Sequence, residues 1–531
     1  MKRRDFVRSA SLSLSVPMIL GGTSIRAFGK SNAVDALLAN AAFEDRVLVL
    51  VRLNGGNDGL NTFIPIDQYS NLSKARGSIL IPEDKLQNTL IGDKNAFHPV
   101  MTGFKELYDT EKLAILQSVG YPKSNGSHFR STDIWTSATA SDVFDPTGWM
   151  GRYLDNNFPG FPNGYPNEDF PDPLAITVGN QVSQTCQGPS VNMSMALANL
   201  NGSQSLLEQD GNTPDTPYGH ELSFLRQSYE QTNKYNASIQ TAAQLVPENL
   251  SELYPQGNGN KLANELRIVA RLIAGGLKTK IYVVDLGGFD THANQVQQGS
   301  SPEEAGRHVD LLSRVSQAIT AFQDDITLFG IEDRVLGMTF SEFGRRIISN
   351  DSYGTDHGTA APLFVFGSQV NPRIFGENPL IPDNANGRDN LPMQYDFRAI
   401  YSSVLSGWFG ASEEQVQEVL FGEEYTYIPI VKRSPISTSI DDQLKKEVRL
   451  SQNYPNPFRG STRIPLELDR VADVQIKVYD PMGQEIATLV NKKLGIGKHE
   501  IPFEGHGLAA GNYYYRMQVN TYQQVKLMQV R

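Results

Sequence analysis

Short runs of consecutive apolar residues recur between about residues 44 and 430, separated by polar segments that are often rich in glycine. The runs are Val47–Val51, Leu113–Leu116, Leu174–Val178, Ile281–Val284, Val335–Met338 and Leu363–Phe366. Continuous rather than alternating hydrophobicity is typical of strands that are buried on both faces, as they are in parallel sheets. The pattern therefore predicts an α/β core over 44–430, with a mostly parallel sheet sandwiched by helices.

One helix has clear boundaries in the sequence. Ser301 and Pro302 are residues favoured at a helix start, and Glu304 completes the capping-box spacing. Apolar residues then recur every three or four positions as far as Gly330, a residue type that commonly ends a helix. Residues 180–262 differ, because they are rich in Asn, Gln, Pro and Gly. We expect an irregular cap there.

The C-terminal segment has another pattern. Val474–Tyr479 and Tyr513–Val519 alternate apolar and polar residues, and glycine-containing turns separate such runs. Short alternating strands predict a small all-β sandwich over 448–531. Residues 431–447 are polar and charged, and they form the expected linker.

The N-terminus resembles an export signal. Arg3 and Arg4 precede a modest apolar stretch that is too short and too polar to span a bilayer. The pattern resembles a twin-arginine signal over 1–33, with the twin-arginine translocase as the expected partner, and an ordinary signal with a basic start is the alternative. The sequence predicts no transmembrane segment. Cys186 is the only cysteine, which excludes an intrachain disulfide, and the formal charge of −11 argues against a nucleic-acid partner.

Polar residues follow several of the predicted strands. Ligands bind beyond the carboxyl ends of strands in open α/β sheets, and the segments expected there carry Asp58, Ser127, His128, Asp290, His292, Glu342, Arg345, Asp356 and His357. Carboxylates and imidazoles are ligands for zinc, and carboxylates also suit calcium or magnesium. We therefore expect a divalent metal, namely zinc, calcium or magnesium, at this edge of the sheet.

Each of these residues also has a simpler interpretation. Asp58 lies between glycines and could be a turn residue, and Asp290 could cap a helix. The Asp356–His357 pair could belong to an ordinary turn, and Glu342 could pair with a neighbouring arginine on the surface. Their common position at one sheet edge is what favours a functional site.

Several motifs of the core together resemble the exported bacterial family known as domain of unknown function 1501, which is grouped with the alkaline phosphatase and sulfatase superfamily. The motifs are VRLNGGNDGLN, SHFRSTDIW, GWMGRYLD, GGFDTHANQ, MTFSEFGRR and GTDHGTAAPLFVFG. The resemblance implies an alkaline phosphatase-like fold. It also implies that Asp58, Asp290, His292 and His357 bind metal and that Ser127 is the nucleophile. From their positions after the strands, we also expect Glu342 and Asp356 to be metal ligands and His128 and Arg345 to be catalytic residues.

The chain departs from the superfamily pattern at two places. Asp290 and His292 are two residues apart rather than four, and Glu342-Phe343-Gly344 replaces an Asp-His-Gly motif. The expected function is an exported, metal-dependent hydrolase of phosphate or sulfate esters, with a small phosphate or sulfate ester or a glycan as its substrate. The alternative is a catalytically inactive protein that binds a glycan or a protein partner at the cell surface on the same scaffold.

The C-terminal segment resembles the sorting domain of the type IX secretion system. Three motifs occur in the family order: NYPNPF, VYDPMGQEI and LAAGNYYYR. The resemblance implies that the type IX machinery is a partner during export, and that the protein is secreted or attached to the cell surface. A carbohydrate-binding β-module is the alternative interpretation of this segment.

Overall fold

The computed structural model describes residues 45–200, 216, 234–432 and 448–531, apart from 469–471, 481–484 and 520–521, together with 18–20 and 23–25. The chain divides into two compact units, Met1–Pro435 and Ile436–Arg531. Apart from strands at 18–20 and 23–25, the predicted signal lies outside the described residues, as do most of the linker and residues 201–215 and 217–233 of the predicted cap.

The first unit combines strands and helices. Its strands, in chain order, are β1 (Met18–Leu20), β2 (Thr23–Ile25), β3 (Val47–Asn54), β4 (Phe63–Pro65), β5 (Leu90–Ile91), β6 (Asn95–Phe97), β7 (Leu113–Gly120), β8 (Ala175–Val178), β9 (Ser194–Leu197), β10 (Ile281–Gly287), β11 (Val335–Phe340), β12 (Ala361–Phe366), β13 (Ile374–Phe375) and β14 (Tyr395–Asp396). Its helices are α1 (Gly59–Thr62), α2 (Tyr69–Ala75), α3 (Thr102–Asp109), α4 (His128–Ser137), α5 (Trp149–Asn157), α6 (234–245), α7 (Lys261–Ala274), α8 (Arg307–Leu328), α9 (Phe397–Gly407) and α10 (Glu413–Val419).

A nine-stranded sheet forms the centre of this unit. Its order is β13-β7-β12-β11-β3-β10-β8-β9, and β14 also pairs with β7. The pairs of β3 with β10 and β11 are parallel, whereas β12 is antiparallel to both of its neighbours. Within the described sheet, β12 alone runs in the opposite direction. The loop before β12 therefore lies at the same edge as the loops that follow the parallel strands.

Alternate residues of the central strand enter two different cores. Val47, Val49 and Val51 of β3 pack in one buried cluster, together with residues of α3, α7 and α8. Leu48 and Leu50 pack in the other cluster, with residues of α4, α5 and α9. Burial on both faces explains why β3 and its neighbours are continuously apolar. The predicted α/β sandwich with a mostly parallel sheet is confirmed.

Two local expectations differ from the structure. The long helix begins at Arg307 rather than near Ser301, whose carbonyl instead accepts turn hydrogen bonds from Glu304 and Ala305. Gly306 separates this turn from the helix, with a φ of 142° and no room for a Cβ against the Gln295 carbonyl. The predicted cap region also contributes strand β9, which pairs in parallel with β8, and helix α6.

The second unit consists of antiparallel strands. They are β15 (Val448–Leu450), β16 (Ser461–Leu468), β17 (Ala472–Tyr479), β18 (Glu485–Leu494), β19 (Gly497–Glu504), β20 (Gly511–Val519) and β21 (Tyr522–Val530). They form a three-stranded sheet, β15-β16-β19, and a four-stranded sheet, β18-β17-β20-β21. Both sheets contribute to one buried apolar cluster. The expected small all-β domain is confirmed.

Candidate metal centre

Three imidazoles and one carboxylate meet at the edge of the central sheet. Asp290 and His292 follow β10, His128 begins α4 after β7, and His357 lies in the loop before β12. The Nε2 atoms of His292 and His357 are 2.9 Å apart, and Asp290 Oδ1 lies 3.3 Å and 3.2 Å from them. His128 Nε2 is 3.4 Å from the other Asp290 oxygen, Oδ2. We call these four residues the His–Asp cluster.

The second nitrogen of each imidazole lies beside a separate oxygen acceptor. His128 Nδ1 is 2.8 Å from Glu342 Oε1, His292 Nδ1 is 3.1 Å from Asp356 Oδ1, and His357 Nδ1 is 2.7 Å from the Gly126 carbonyl oxygen. In a neutral imidazole only one nitrogen carries a proton. Because carboxylates and carbonyls accept hydrogen bonds, the proton belongs on Nδ1 in each ring. The three Nε2 lone pairs then converge on the Asp290 carboxylate.

This convergence fits a metal ion. Nitrogen lone pairs and a carboxylate oxygen repel one another at hydrogen-bonding distance unless a cation lies among them. Zinc bonds of about 2.0–2.1 Å in a tetrahedron place neighbouring ligand atoms about 3.3 Å apart. The three separations among Asp290, His292 and His357 lie close to this spacing. Imidazoles that donate their other N–H to a carboxylate or carbonyl are typical of metal sites.

The charge state of the cluster also suits a cation. Burial by itself raises the pKa of Asp290, but the hydrogen bond from the Arg345 guanidinium and its positive charge outweigh this effect and lower the pKa to about 2. Burial lowers the pKa of His357 below its usual value, against the opposing effects of Gly126 and Asp290. At neutral pH the carboxylate is therefore ionised and the His357 imidazole is neutral, and these are the forms that bind metals.

The four side chains are partly open to solvent. Their exposed fractions are 30% for His128, 47% for Asp290, 44% for His292 and 24% for His357. Phe343 packs under the rings of His128 and His357, at centroid distances of 4.9 Å and 4.6 Å. The cluster therefore has a rigid aromatic floor and a face that a dissolved molecule can reach.

Arg345 holds the loops of the cluster together from beneath. Its guanidinium is buried and donates to the carbonyls of Gly55, Gly56, Phe289 and Thr355 and to Asp290 Oδ1. We expected Arg345 to act as a catalytic residue that contacts an oxyanion. The structure differs, because the side chain is 0% exposed and is engaged with backbone carbonyls.

Asp58 does not lie among the cluster ligands. Its carboxylate is fully buried, and both of its oxygens accept hydrogen bonds from Arg76, at 2.8 Å and 2.9 Å. Gln295 donates to the same carboxylate. Burial raises the pKa of Asp58, but Arg76 more than compensates and the pKa is lowered. A carboxylate engaged in this way is not available to a metal, contrary to our expectation.

Glu342 and Asp356 were also expected to be metal ligands, but in the structure each of them contacts a cluster histidine at its Nδ1 atom instead. Glu342 Oε1 accepts hydrogen bonds from His128 and from the Gly55 N–H, and Asp356 Oδ1 lies beside His292. Both carboxylates orient imidazoles rather than face the cluster centre. His128 differs in the opposite way: we expected a catalytic residue rather than a metal ligand, but its Nε2 lies beside Asp290 within the cluster.

Ser127, the expected nucleophile, is adjacent to the cluster. It is the N-cap of α4, and its Oγ accepts a hydrogen bond from the Arg130 N–H at 3.5 Å. The residue is exposed and lies between Gly126 and His128, which both contact the cluster.

Sequence reasoning missed Arg76 and Gln295, because nothing in a local pattern shows that these two side chains form hydrogen bonds with Asp58.

Comparison with known proteins identifies two regions of the chain. Residues 140–419 match the family described as protein of unknown function (DUF1501), and residues 452–531 match the secretion system C-terminal sorting domain. A search of curated proteins finds no match. The sorting domain shows that the protein is exported through the type IX system and is secreted or attached to the cell surface. Among the described helices, none combines the length and hydrophobicity needed to cross a membrane.

Several solved structures share similarity at low identity. The PsFucS1 sulfatase from Pseudoalteromonas sp. is 11% identical, with a TM-score of 0.32 over 90% of this chain and 89% of that chain. A protein in the alkaline phosphatase superfamily from Vibrio parahaemolyticus is 10% identical, with a TM-score of 0.31, and the match covers 83% of this chain and 82% of that chain.

PorZ, a surface component of the type IX secretion system of Porphyromonas gingivalis, is 15% identical with a TM-score of 0.13, and the match covers 18% of this chain and 13% of PorZ. The family match, in contrast, extends over more than half of the sequence. The chain therefore belongs to the DUF1501 family of proteins of unknown function.

Proposed function

We propose that this exported protein is a metal-dependent hydrolase of phosphate or sulfate esters, with one divalent ion held by His128, Asp290, His292 and His357. The observation that carries the proposal is the convergence of three imidazole Nε2 atoms on one ionised carboxylate, with each Nδ1 beside an oxygen acceptor. Imidazole ligands favour zinc over calcium and magnesium, which prefer oxygen.

A single ion is favoured over a pair. Of the other buried carboxylates near this sheet edge, Asp58 is neutralised by the Arg76 guanidinium, and Glu342 is engaged with His128 and the Gly55 N–H. The open face of the cluster favours a catalytic role over a purely structural one, because structural sites are usually closed by their protein ligands. A divalent ion bound here would polarise an ester oxygen and stabilise the charge that develops on it.

The surrounding residues supply the other requirements of ester hydrolysis. Ser127 presents an exposed hydroxyl beside the cluster, and α4 begins there with a positive helix end that favours an anionic group. Arg346 is partly exposed, and its Nε donates to the His357 carbonyl at 3.2 Å. We assign Arg346, rather than the buried Arg345, as the cation that contacts the substrate anion.

A second candidate is a binding protein on the same scaffold, for a glycan or a protein partner. One observation favours it: the contact between Ser127 Oγ and the Arg130 N–H accounts for this serine as a helix cap without a catalytic role. Metal content and turnover distinguish the two functions, because the binding protein needs neither.

Elemental analysis of the purified protein is the first test. The hydrolase proposal expects close to one divalent ion per chain. His357→Ala and Asp290→Ala should lose the ion, whereas His506→Ala, which changes an exposed histidine of the second unit, should retain it. A protein that is metal-free and stays inert after addition of zinc, calcium, magnesium or manganese would favour the binding function.

Turnover of an aryl phosphate or aryl sulfate then tests the nucleophile. Ser127→Ala should abolish turnover and leave the metal content unchanged. If this variant were fully active, the metal site would remain assigned, but the attacking group would be a water molecule rather than Ser127.

We further propose that the protein crosses the inner membrane through the twin-arginine translocase, because Arg3 and Arg4 precede the apolar stretch of the predicted signal. This route carries folded proteins and would allow metal to be bound before export. Replacing both arginines with lysine should retain the precursor in the cell. Unchanged export of the variant would show that the general secretion route is used.

A further inference from the structure

A second pocket lies at the edge of the central sheet opposite the His–Asp cluster. It encloses about 320 Å³, and its lining comes from Asp172, from helix α6 and from 275–277, which follow helix α7. Asp172 and 275–277 precede β8 and β10, whereas the cluster lies beyond the carboxyl end of β10. Because β10 has seven residues, about 20 Å of strand separates the two sites. The pocket is therefore distinct from the proposed hydrolase site.

Hydrogen bonding and close packing join the segments that form the pocket. The Lys278 N–H donates to Asp172 Oδ2 at 2.9 Å, which connects the segment after α7 to the segment before β8. A Cβ on Gly275 would lie only 2.2 Å from the Ala242 carbonyl oxygen, so the end of α7 packs directly on α6. The pocket is thus formed before a ligand binds, and a preformed site lowers the entropy cost of binding.

The polar side chains that line the pocket present hydrogen-bond acceptors. The Ser238 hydroxyl donates to the Tyr235 carbonyl at 3.1 Å, and the Thr241 hydroxyl donates to the Ala237 carbonyl at 2.8 Å. Because a hydroxyl has a single proton, only the lone pairs of these two oxygens remain for a ligand. Asp172 Oδ1 accepts no hydrogen bond from the residues that the structure describes. The lining therefore selects a ligand that donates hydrogen bonds.

The electrostatics of the pocket favour a cation. Asp172 is the one charged residue in the lining, and within the described part of the chain no lysine, arginine or histidine side chain pairs with it. The 14-residue helix α7 ends beside the pocket at Ala274, and the carboxyl end of a helix carries a partial negative charge. A positively charged ligand would complement both features.

The size and the apolar surface of the pocket narrow the class of cation. Its volume is near the lower end of the range of about 300–1,000 Å³ for small-molecule sites, so the ligand is small. Ala242 and Leu277 provide apolar surface for an alkyl chain. None of the described lining residues is aromatic, whereas quaternary ammonium ions are recognised by aromatic rings. A primary ammonium group has three N–H donors, which matches three acceptor side chains.

We infer that this pocket binds a small primary alkylammonium ion, with its N–H groups directed to Asp172, Ser238 and Thr241 and its alkyl chain on Ala242 and Leu277. The inference does not rest on the proposed function, because binding at this edge of the sheet requires neither metal nor turnover. A free aliphatic amine and a lysine side chain share this chemistry, and the test below distinguishes them.

Calorimetric titration of the full chain with butylammonium chloride at pH 7 tests the site. Butylammonium should bind. Butanol, which lacks the charge, and tetramethylammonium, which lacks N–H donors, should bind more weakly by about tenfold or more, as expected for loss of charge-assisted hydrogen bonds. Tighter binding of Nα-acetyl-lysine methylamide than of butylammonium would identify a lysine side chain as the ligand, and weaker binding would identify a free amine.

Three variants connect binding to the pocket. Asp172→Asn keeps an oxygen for the Lys278 N–H but removes the charge, and it should weaken butylammonium binding by about tenfold or more. Thr241→Val removes one acceptor at nearly constant volume and should also weaken binding. Asp169→Asn is the matched control, because it removes an exposed carboxylate of the same segment that does not line the pocket, and it should bind like the wild type. A cooperative melt of each variant shows that it is folded.

Three results would overturn the inference. The first is equal binding of butylammonium by Asp172→Asn and the wild type. The second is binding of tetramethylammonium as tight as that of butylammonium. The third is binding of potassium ions without binding of butylammonium, which would make the pocket a site for an inorganic cation. Loss of aryl ester turnover has no bearing on any of the three, so failure of the proposed function and failure of this inference are distinguishable.

Discussion

The two carboxylates that orient cluster histidines differ mainly in their exposure to water. Glu342 Oε1 is 2.8 Å from His128 Nδ1, and Asp356 Oδ1 is 3.1 Å from His292 Nδ1. The Glu342 side chain is 2% exposed, whereas the Asp356 side chain is 53% exposed. Because solvent and dissolved ions screen an exposed charge, we expect Glu342 to strengthen metal binding more than Asp356 does.

The expected losses follow from this difference. Substituting a residue that orients a metal-binding histidine typically weakens metal affinity by about 10–100-fold. Glu342→Gln keeps an oxygen for His128 and Gly55 but removes the negative charge and buries an amide N–H₂ group in place of Oε2. We expect the zinc affinity of Glu342→Gln to fall by about 100-fold, which corresponds to about 2.8 kcal/mol of binding free energy. Asp356→Asn removes a charge that solvent already screens. We expect its zinc affinity to fall by about tenfold, which corresponds to about 1.4 kcal/mol of binding free energy.

Competition for zinc between the metal-free protein and a chromogenic chelator at pH 7 measures both values. Asp351→Asn is the matched control, because it removes an exposed carboxylate from the same loop without a contact to the cluster histidines. Its zinc affinity should equal that of the wild type. Equal losses for Glu342→Gln and Asp356→Asn, or a larger loss for Asp356→Asn, would refute the argument from exposure.

Three other predictions concern the core, the tail and the substrate. Arg76→Met should reduce the free energy of unfolding by about 3–5 kcal/mol at pH 7, since it leaves the Asp58 carboxylate buried without its cation. Tryptophan fluorescence in urea measures this loss, because all three tryptophans lie in the first unit. Arg76 lowers the pKa of Asp58, so the stability from this pair is present above the unfolded pKa of Asp58 and is lost as the pH falls through the folded one. The difference between variant and wild type should therefore shrink in acid, and a constant difference would contradict the assignment. Removing 448–531 should leave a first unit that melts cooperatively and is no longer exported, whereas loss of cooperative melting would place the boundary elsewhere. Arg346→Met should raise KM for an aryl ester by about tenfold with metal content unchanged, as expected for loss of a charge-assisted contact, and an unchanged KM would remove Arg346 from the substrate site.

The central strands could be predicted from the sequence because a strand that is buried on both faces consists of a continuous run of apolar residues. Val47–Val51 and Ile281–Val284, for example, lie within β3 and β10 as expected. The antiparallel tail could be predicted for the corresponding reason, since one buried face produces alternation. Helix limits were less predictable. The capping pattern at Ser301 is local, but the close approach of Gly306 to Gln295 depends on a loop that follows another strand.

The sequence by itself determined which residue types gather after the strands, and the tertiary structure decided what each of them does. His357 precedes its strand, so in an all-parallel sheet it would lie at the edge opposite Asp290. It reaches Asp290 only because β12 is antiparallel to β11 and β7. Arg345 and Arg346 are indistinguishable in the sequence, yet the first is buried among carbonyls and the second reaches solvent. Such roles depend on burial and on partners distant in the chain, and these are set when the loops of different strands pack together.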